Sequence, residues 1–346
     1  MRPREQLAGE KLSGGWKVIR MLTKKSSTGS NFSVGYLVEN DDGRQGFLKA
    51  MDYLEALMHP NALEMLKQFA DIYLFEKQIC EICRDRHFRR IVHAIDSGSI
   101  MPDPRNPASR VEYLIFELAD GDVRAHLDAR LPTDTAFMLR VLHNVATALQ
   151  QLHGGEMAHQ DTKPSNVLIG KEHAGAKLAD LGRAWSKAFP SPFDGAPIAG
   201  DPSYAPPELL YRAVPADAEG RRFGCDLYYF GNLIAFVFTR VSVNSLLAEH
   251  LQMEHLPLRW GGSFAEVMPY LRSAFGAALA ELEAHFPTAI REPVLEMVRQ
   301  LCEPEPSLRG HPLNHQGHQN PYGLERFISK LNSLATRAEL AQRSVN

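Results

Sequence analysis

The most constraining feature of the chain is a polar stretch, His159–Asn166, which is followed at once by the apolar run Val167–Ile169. Transfer of a phosphoryl group from a nucleotide needs a carboxylate to orient the attacking hydroxyl, a cation near the phosphate and oxygen ligands for magnesium. One tight loop supplies all three if Asp161 is the catalytic base, Lys163 the cation and Asn166 a metal ligand. The alternative is an ordinary polar turn between a helix and a strand.

A second polar motif, Asp180-Leu181-Gly182, begins fourteen residues after Asn166. A short hairpin between the two motifs would return the chain so that the Asp180 carboxylate lies beside the Asn166 amide. Oxygen donors of this kind are the ligands that Mg²⁺ prefers. The sequence therefore predicts a magnesium site from Asn166 and Asp180, although Asp-Leu-Gly taken alone would be an ordinary turn.

Four motifs then occur in an order that resembles the eukaryotic-type serine/threonine protein kinase family. The family's His-Arg-Asp-Leu-Lys-Pro-x-Asn loop corresponds to His159–Asn166, and its Asp-Phe-Gly corresponds to Asp180-Leu181-Gly182. Its Ala-Pro-Glu is matched by Pro206-Pro207-Glu208, and its Asp-x-Trp-x-x-Gly by the stretch from Asp226 to Gly231. The resemblance covers roughly residues 155–310, reaches back more weakly to about residue 16, and leans toward bacterial members.

This resemblance implies an α+β, two-lobed fold with a small β-rich N-lobe, one main helix in that lobe and a larger helical C-lobe. We expect a nucleotide-binding N-lobe at residues 16–118. A catalytic and substrate-binding C-lobe with a C-terminal helix should occupy residues 119–340. The residue pattern agrees, because strand-like runs stop near residues 118–123 and helical spacing dominates afterwards.

Local patterns predict the individual elements. Strand-like apolar runs predict strands at Trp16–Leu22, Phe32–Val38, Gly46–Met51, Ile91–Ile95 and Val111–Phe116. Apolar residues at helical spacing predict helices at Asn61–Cys83, Asp134–Leu152, Asp226–Phe238, Phe264–His285, Glu292–Cys302 and Gly323–Leu340. Asp41-Asp42-Gly43 is typical of a hairpin turn.

The family resemblance also assigns nucleotide-binding residues before residue 120. Lys49 corresponds to the strand lysine that holds the α- and β-phosphates of ATP, and Glu76 to the helix glutamate that pairs with it, with Glu81 as the alternative. The main chain of Glu117 and Ala119 is expected to bond the adenine edge. These assignments imply ATP and Mg²⁺ as cofactors.

The glycine-rich loop of the family is degenerate here. We expect Gly29, Ser30 and Phe32 to contact the nucleotide, but Gly29 is the one glycine at the loop tip. Because glycine lets backbone amides approach phosphate closely, the phosphate contacts are expected to be looser.

Two further positions depart from the family pattern. Gln160 stands where the family has an arginine that pairs with a phosphate on the activation loop, so the sequence predicts activity that depends little on activation-loop phosphorylation. Asp201 stands where serine/threonine members have a threonine. A carboxylate there could accept a hydrogen bond from Lys163 but would repel Asp161 unless held away.

Lys163 is the residue type of serine/threonine members, so a protein with serine or threonine hydroxyls is the expected substrate. A pseudokinase scaffold and a kinase-fold small-molecule phosphotransferase are the alternatives. The 38 basic and 41 acidic residues give a net charge of −3, which lacks the basic footprint of a dedicated nucleic-acid binder. No membrane association is expected, and the four cysteines fit a cytoplasmic location. The oligomeric state is left open.

Overall fold

In the computed structural model, the strand-like runs of the first 120 residues form one antiparallel sheet. The structure describes residues 2–22, 33–129, 134–170, 175–316 and 320–343. The chain divides into two units. The first holds the described residues within Met1–Gly121, Ile169–Ala174 and Ala179–Gly182, and the second holds those within Asp122–Leu168, Gly175–Leu178 and Arg183–Asn346.

The first unit is built around a five-stranded sheet with the strand order β1-β2-β3-β5-β4. Its strands are β1 (Trp16–Met21), β2 (Val34–Asn40), β3 (Gln45–Asp52), β4 (Ala94–Ile100) and β5 (Val111–Glu117). The predicted hairpin joins β2 to β3, and Gly43 adopts φ 77° in its turn. Because β3 is the central strand, its backbone is paired on both sides, and Lys49 lies opposite Gly35 and Leu114 in the two neighbouring strands.

The predicted strand at Ile91–Ile95 is wrong in its bounds. Ile91 and Val92 are buried but precede the strand, which begins at Ala94 and continues to Ile100 through Asp-Ser-Gly-Ser. This strand lies at the edge of the sheet, where one side is unpaired and polar residues are tolerated. A register shift between Ala94 and Asp96 further obscures the alternation.

Two helices complete the first unit, the short α1 (Leu54–Leu57) and the long α2 (Ala62–Asp85). Leu63 and Leu74 are among the apolar residues at helical spacing that predict α2, but they are 84% and 56% exposed and do not belong to its buried face. Cys80 and Cys83 lie on its buried face, and burial raises the pKa of the Cys83 thiol to about 12. Both cysteines therefore pack as neutral core residues.

The second unit is mainly helical, so the predicted α+β class is confirmed. Its helices are α3 (Val123–Asp128), α4 (Thr135–Gly154), α5 (Pro207–Leu210), α6 (Cys225–Thr239), α7 (Val243–His250), α8 (Phe264–His285), α9 (Arg291–Leu301) and α10 (Glu325–Arg343). The short strands outside the five-stranded sheet are β6 (Gly121–Asp122), β7 (Met157–Ala158), β8 (Val167–Ile169), β9 (Ala176–Leu178) and β10 (Trp185–Ser186). The helix α7 was not predicted.

Helix α4 begins at a capping residue, since the Asp134 carboxylate accepts hydrogen bonds from the backbone N–H groups of Ala136 (2.8 Å) and Phe137 (3.2 Å). The C-terminal α10 packs along α4, and Arg140 makes a two-pronged ion pair with Glu339 at 2.9–3.0 Å. The chain thus places a long, largely buried helix a few residues before the loop His159–Asn166.

Helix α6 is buried on almost all sides. Gly231 is required there because a Cβ atom at this position would lie 2.5 Å from the sulfur of Cys302. Within the described parts of the chain, no single helix has the length and apolar composition to cross a membrane. The pair Gly220–Thr239 and Val243–His250 meets those criteria only jointly and is bent by 89°.

Candidate active site

The first unit brings three predicted residues together around one ammonium group. Lys49 Nζ donates to both carboxylate oxygens of Glu76 at 2.7 and 2.9 Å and to Oδ1 of Asp180 at 3.0 Å. Lys49 comes from the central strand β3, and Glu76 from the buried face of α2. Of the two glutamates considered on this helix, the structure places Glu76, and not Glu81, at Lys49.

The electrostatics of this cluster keep the lysine charged. Burial lowers the pKa of the Lys49 ammonium, but the carboxylates of Asp180 and Glu76 outweigh that effect, so the net pKa is raised. The Glu76 side chain is 3% exposed, whereas that of Asp180 is 39% exposed. One cation therefore faces two carboxylates, and the more accessible carboxylate has the hard oxygens that suit a magnesium ion.

The predicted adenine-binding stretch follows β5. Phe116 is buried within this strand, Glu117 is its last residue, and Ala119 lies beyond the strand and is partly exposed. The predicted phosphate-loop residues Gly29, Ser30 and Phe32 lie outside the described residues.

In the second unit, Asp161 is held by its own loop. Asn166 Nδ2 donates to the backbone oxygen of Asp161 at 2.8 Å and to its Oδ2 at 3.0 Å, and Lys163 Nζ lies 3.0 Å from the same Oδ2. Asp161 is 5% exposed. Because the Asn166 amide nitrogen is used in this way, its amide oxygen is the atom suited to a cation.

A buried carboxylate on α6 anchors the backbone of this loop. Asp226 is fully buried and accepts hydrogen bonds from the N–H groups of His159 and Gln160, each at 2.7 Å. His153, at the end of α4, lies with Nε2 3.0 Å from Oδ2 of Asp226. Gln160 adopts φ 67°, a conformation that non-glycine residues hold only when the surroundings enforce it.

The departure at position 201 is accommodated by the lysine. The backbone N–H of Asp201 donates to Oδ1 of Asp161 at 2.7 Å, and the Asp201 carboxylate lies 3.4 Å from Lys163 Nζ. Lys163 therefore stands between two carboxylates, which offsets the repulsion expected from the sequence.

Glu208 and Arg309 form a buried pair that braces α5. Arg309 donates to both Glu208 oxygens at 2.7 and 2.8 Å and also to the backbone oxygen of Gly224. Both side chains have no exposed surface. The ring of Tyr228 lies 5.0 Å from the guanidinium carbon.

Sequence reasoning missed two functional candidates, Arg222 and Asp194. Arg222 Nη1 donates to the side-chain oxygen of Gln160 at 2.8 Å, and its Nη2 donates to Oδ1 of Asp194 at 3.0 Å. Arg222 is 28 positions from Asp194 and 62 positions from Gln160 along the chain. No local sequence pattern therefore indicates that these side chains meet.

Comparison with known proteins identifies the family of the chain. The family model described as "Protein kinase domain" matches residues 38–322. The chain is 30% identical over 206 residues to "CBL-interacting protein kinase 4" of Oryza sativa subsp. japonica, which covers 57% of this chain and 38% of the relative. It is 27% identical over 214 residues to "Serine/threonine-protein kinase grp" of Drosophila melanogaster, which covers 59% and 36%.

A third relative is "Aurora kinase" of Debaryomyces hansenii, which is 28% identical over 145 residues, or 39% of this chain and 34% of the relative. The chain thus spans little more than a third of the length of these curated relatives. The family model, in contrast, covers well over half of the chain. The chain therefore belongs to the protein kinase family, and its relatives are of the eukaryotic serine/threonine type.

Proposed function

We propose that the protein transfers the γ-phosphoryl group of magnesium-bound ATP to serine or threonine hydroxyls of protein substrates. The observation that carries this proposal is the geometry at Asp161, whose two carboxylate oxygens are oriented by Asn166, Lys163 and the backbone N–H of Asp201. Such preorganisation lets a carboxylate accept a proton without reorganising in the transition state.

Each residue has a role that follows from its charge. In the proposed reaction, Asp161 orients the attacking hydroxyl and accepts its proton, and Lys163 stabilises the negative charge of the transferring group. Lys49, held by Glu76, binds the α- and β-phosphates. ATP supplies the phosphoryl group and magnesium the neutralising charge.

The donor atoms present fit magnesium. Asp180 offers a partly exposed carboxylate, and Asn166 offers an amide oxygen whose nitrogen is already bonded within the loop. Both are hard ligands of the type that Mg²⁺ binds in phosphoryl-transfer enzymes. We therefore propose these two residues as the metal ligands.

We also propose that activity depends little on phosphorylation of the 183–206 segment, because Gln160 carries no charge with which to bind a phosphate. Lys163 supports serine and threonine as acceptors, in keeping with the name of the Drosophila melanogaster relative.

The direct test compares wild-type protein with D161N, using radiolabelled ATP, Mg²⁺ and an arrayed serine and threonine peptide library. We expect D161N to lower transfer by about 10²–10⁴-fold, because general base catalysis is lost while shape is kept. Equal transfer by the two proteins would refute the assignment.

Melting-temperature and transfer measurements on the wild-type protein distinguish the proposed function from its alternatives. A rise in melting temperature with Mg-ATP but no transfer to any peptide would favour a nucleotide-binding scaffold. Transfer to a small sugar or amine alone would favour a small-molecule phosphotransferase.

A further inference from the structure

Two consecutive arginines, Arg221 and Arg222, lie in the π-helical stretch Gly220–Gly224 directly before α6 and bind the 183–206 segment. Arg221 Nη2 donates to the backbone oxygens of Asp194 and Ala196 at 2.9 and 3.1 Å. Arg222 Nη2 donates to Oδ1 of Asp194 at 3.0 Å and lies 3.4 Å from its backbone oxygen. The segment is therefore held at its middle by charged donors rather than by apolar packing alone.

Asp194 also organises the segment around itself. Its Oδ2 accepts the backbone N–H of Ser191 at 2.8 Å, while its own N–H donates to the Ser191 oxygen at 3.1 Å. The neighbouring Phe193 ring lies 3.9 Å from the guanidinium carbon of Arg183. One carboxylate thus joins a local turn to Arg222.

The other end of Arg222 reaches the catalytic loop. Gln160 accepts from Arg222 Nη1 at 2.8 Å through its side-chain oxygen and donates through Nε2 to the Arg222 backbone oxygen at 3.0 Å. Gln160 is 4% exposed and directly precedes the proposed base, Asp161. A shift of Arg222 therefore moves the loop that carries Asp161.

Charge makes this arrangement specific. The Arg222 side chain is 7% exposed, so its guanidinium depends on the Asp194 carboxylate and on neutral acceptors for compensation. A neutral amide at position 160 fits beside it. A second guanidinium at position 160 would face Arg222 across the same buried space and repel it.

We propose that Arg222 is a positioning residue that ties Asp194 of the 183–206 segment to Gln160 of the catalytic loop, and so orders the segment without covalent modification. This inference rests on the proposed kinase function. It adds how the 183–206 segment is held in place beside the loop that carries Asp161. The carboxylate of Asp194 is a permanent part of the chain, so the tie is present as soon as the protein folds.

The first experiment compares the peptide-phosphorylation kinetics of the wild type, D194N, D194E and K187A, each treated with phosphatase and prepared as the entire 346-residue chain. Lys187 is the matched control because it lies in the same 183–206 segment and makes an ion pair with Glu156, which lies outside it, but both side chains are more than 60% exposed. We expect D194N to lower kcat/KM for the peptide library about tenfold with the KM for ATP unchanged. D194E keeps the carboxylate and should retain much of the wild-type kcat/KM. K187A should have the kcat/KM of the wild type.

A double-mutant cycle with R222Q tests the coupling. D194N/R222Q should lose no more activity than the worse single variant, because both changes break one interaction. Additive losses, or equal effects of D194N and K187A, would overturn the proposal.

One readout does not need catalysis. Hydrogen exchange of residues 189–200 should quicken in D194N and R222Q but not in K187A. If the wild type proves inactive, the proposed function fails, yet this measurement still decides the tie.

Q160R supplies a test of opposite sign. The family pattern alone predicts that an arginine here is harmless or beneficial, whereas repulsion from Arg222 predicts a lower melting temperature and lower activity. An unchanged or higher melting temperature for Q160R would contradict the proposal.

Discussion

At the residue scale, the position of the proposed base is set largely by a glycine that has no side chain. A Cβ atom on Gly200 would lie 2.1 Å from the backbone oxygen of Gln160 and 2.8 Å from Oδ1 of Asp161. Only without that atom does the chain approach closely enough for the N–H of Asp201 to bond Asp161. The 183–206 segment and the catalytic loop are therefore in backbone contact.

Replacement of this glycine should damage catalysis more than folding. G200A must displace backbone atoms, because the nearest obstacle is a carbonyl oxygen rather than a flexible side chain. A displacement of this size can cost on the order of 10²-fold in rate, so we expect kcat to fall about 10²-fold. Peptide kinetics and the melting temperature measure the two effects.

The control is G195A, in the same segment, where an added Cβ atom has no heavy atom within 4 Å. G195A should keep nearly full activity. Similar kcat values for G200A and G195A would mean that the close approach has no part in positioning Asp161.

At the scale of single elements, helix α2 positions one buried charge, the carboxylate of Glu76. Its buried face is not purely apolar, since Glu76 lies among Phe69, Tyr73, Ile79 and Cys80 with 2% of its surface exposed. A carboxylate in such surroundings is stable because Lys49 donates to both of its oxygens. The helix thus holds the lysine in place through a single ion pair.

Neutralising that charge should weaken the nucleotide site. E76Q keeps the shape but removes the charge that orients Lys49, so we expect kcat/KM to fall on the order of 10–10²-fold, or about 1.4–2.7 kcal/mol. Steady-state kinetics with varied ATP measure the change. E81Q, a little over one turn further along α2 and absent from the bonds to Lys49, should stay within twofold of the wild type. Equal losses in both variants would show that helix charge, rather than this pair, matters.

At the scale of the whole molecule, the sequence predicts elements that local chemistry determines and contacts that the family resemblance carries, such as Lys49 with Glu76. It misses distant contacts between residues that belong to no motif. The motif at Asp161 and the helix α8 are predictable because residue spacing along the chain suffices to define them. The contact between Gln160 and Arg222 is not, because it joins residues 62 positions apart. The sequence pattern predicts wrong bounds for β4, because the polar residues of this edge strand hide the strand pattern.

The residues before β1 contribute to the sheet core in a way that the sequence pattern does not predict. Sequence patterns begin the first lobe at residue 16, but Leu7 is fully buried and belongs to the same core cluster as Tyr36, Val38 and Tyr113. The hydroxyl of Tyr36 donates to the backbone oxygen of Arg4 at 2.7 Å, and the backbone N–H of Arg4 donates to Asp52 at 3.0 Å. The residues before β1 therefore complete the core of the sheet.

Removing one side chain from this N-terminal stretch should loosen the first unit. L7A leaves a cavity in the core cluster, and such changes typically cost about 2–5 kcal/mol. L63A is the matched control, because Leu63 lies in the same unit but is 84% exposed, and surface changes usually stay within about 0.5 kcal/mol. Native-state hydrogen exchange of β2 and β3 amides measures the loss within this unit alone, without assuming that the whole chain unfolds in one step. If L7A and L63A exchange at the same rate, the N-terminal residues contribute nothing to the sheet core, and the unit begins where the sequence pattern places it.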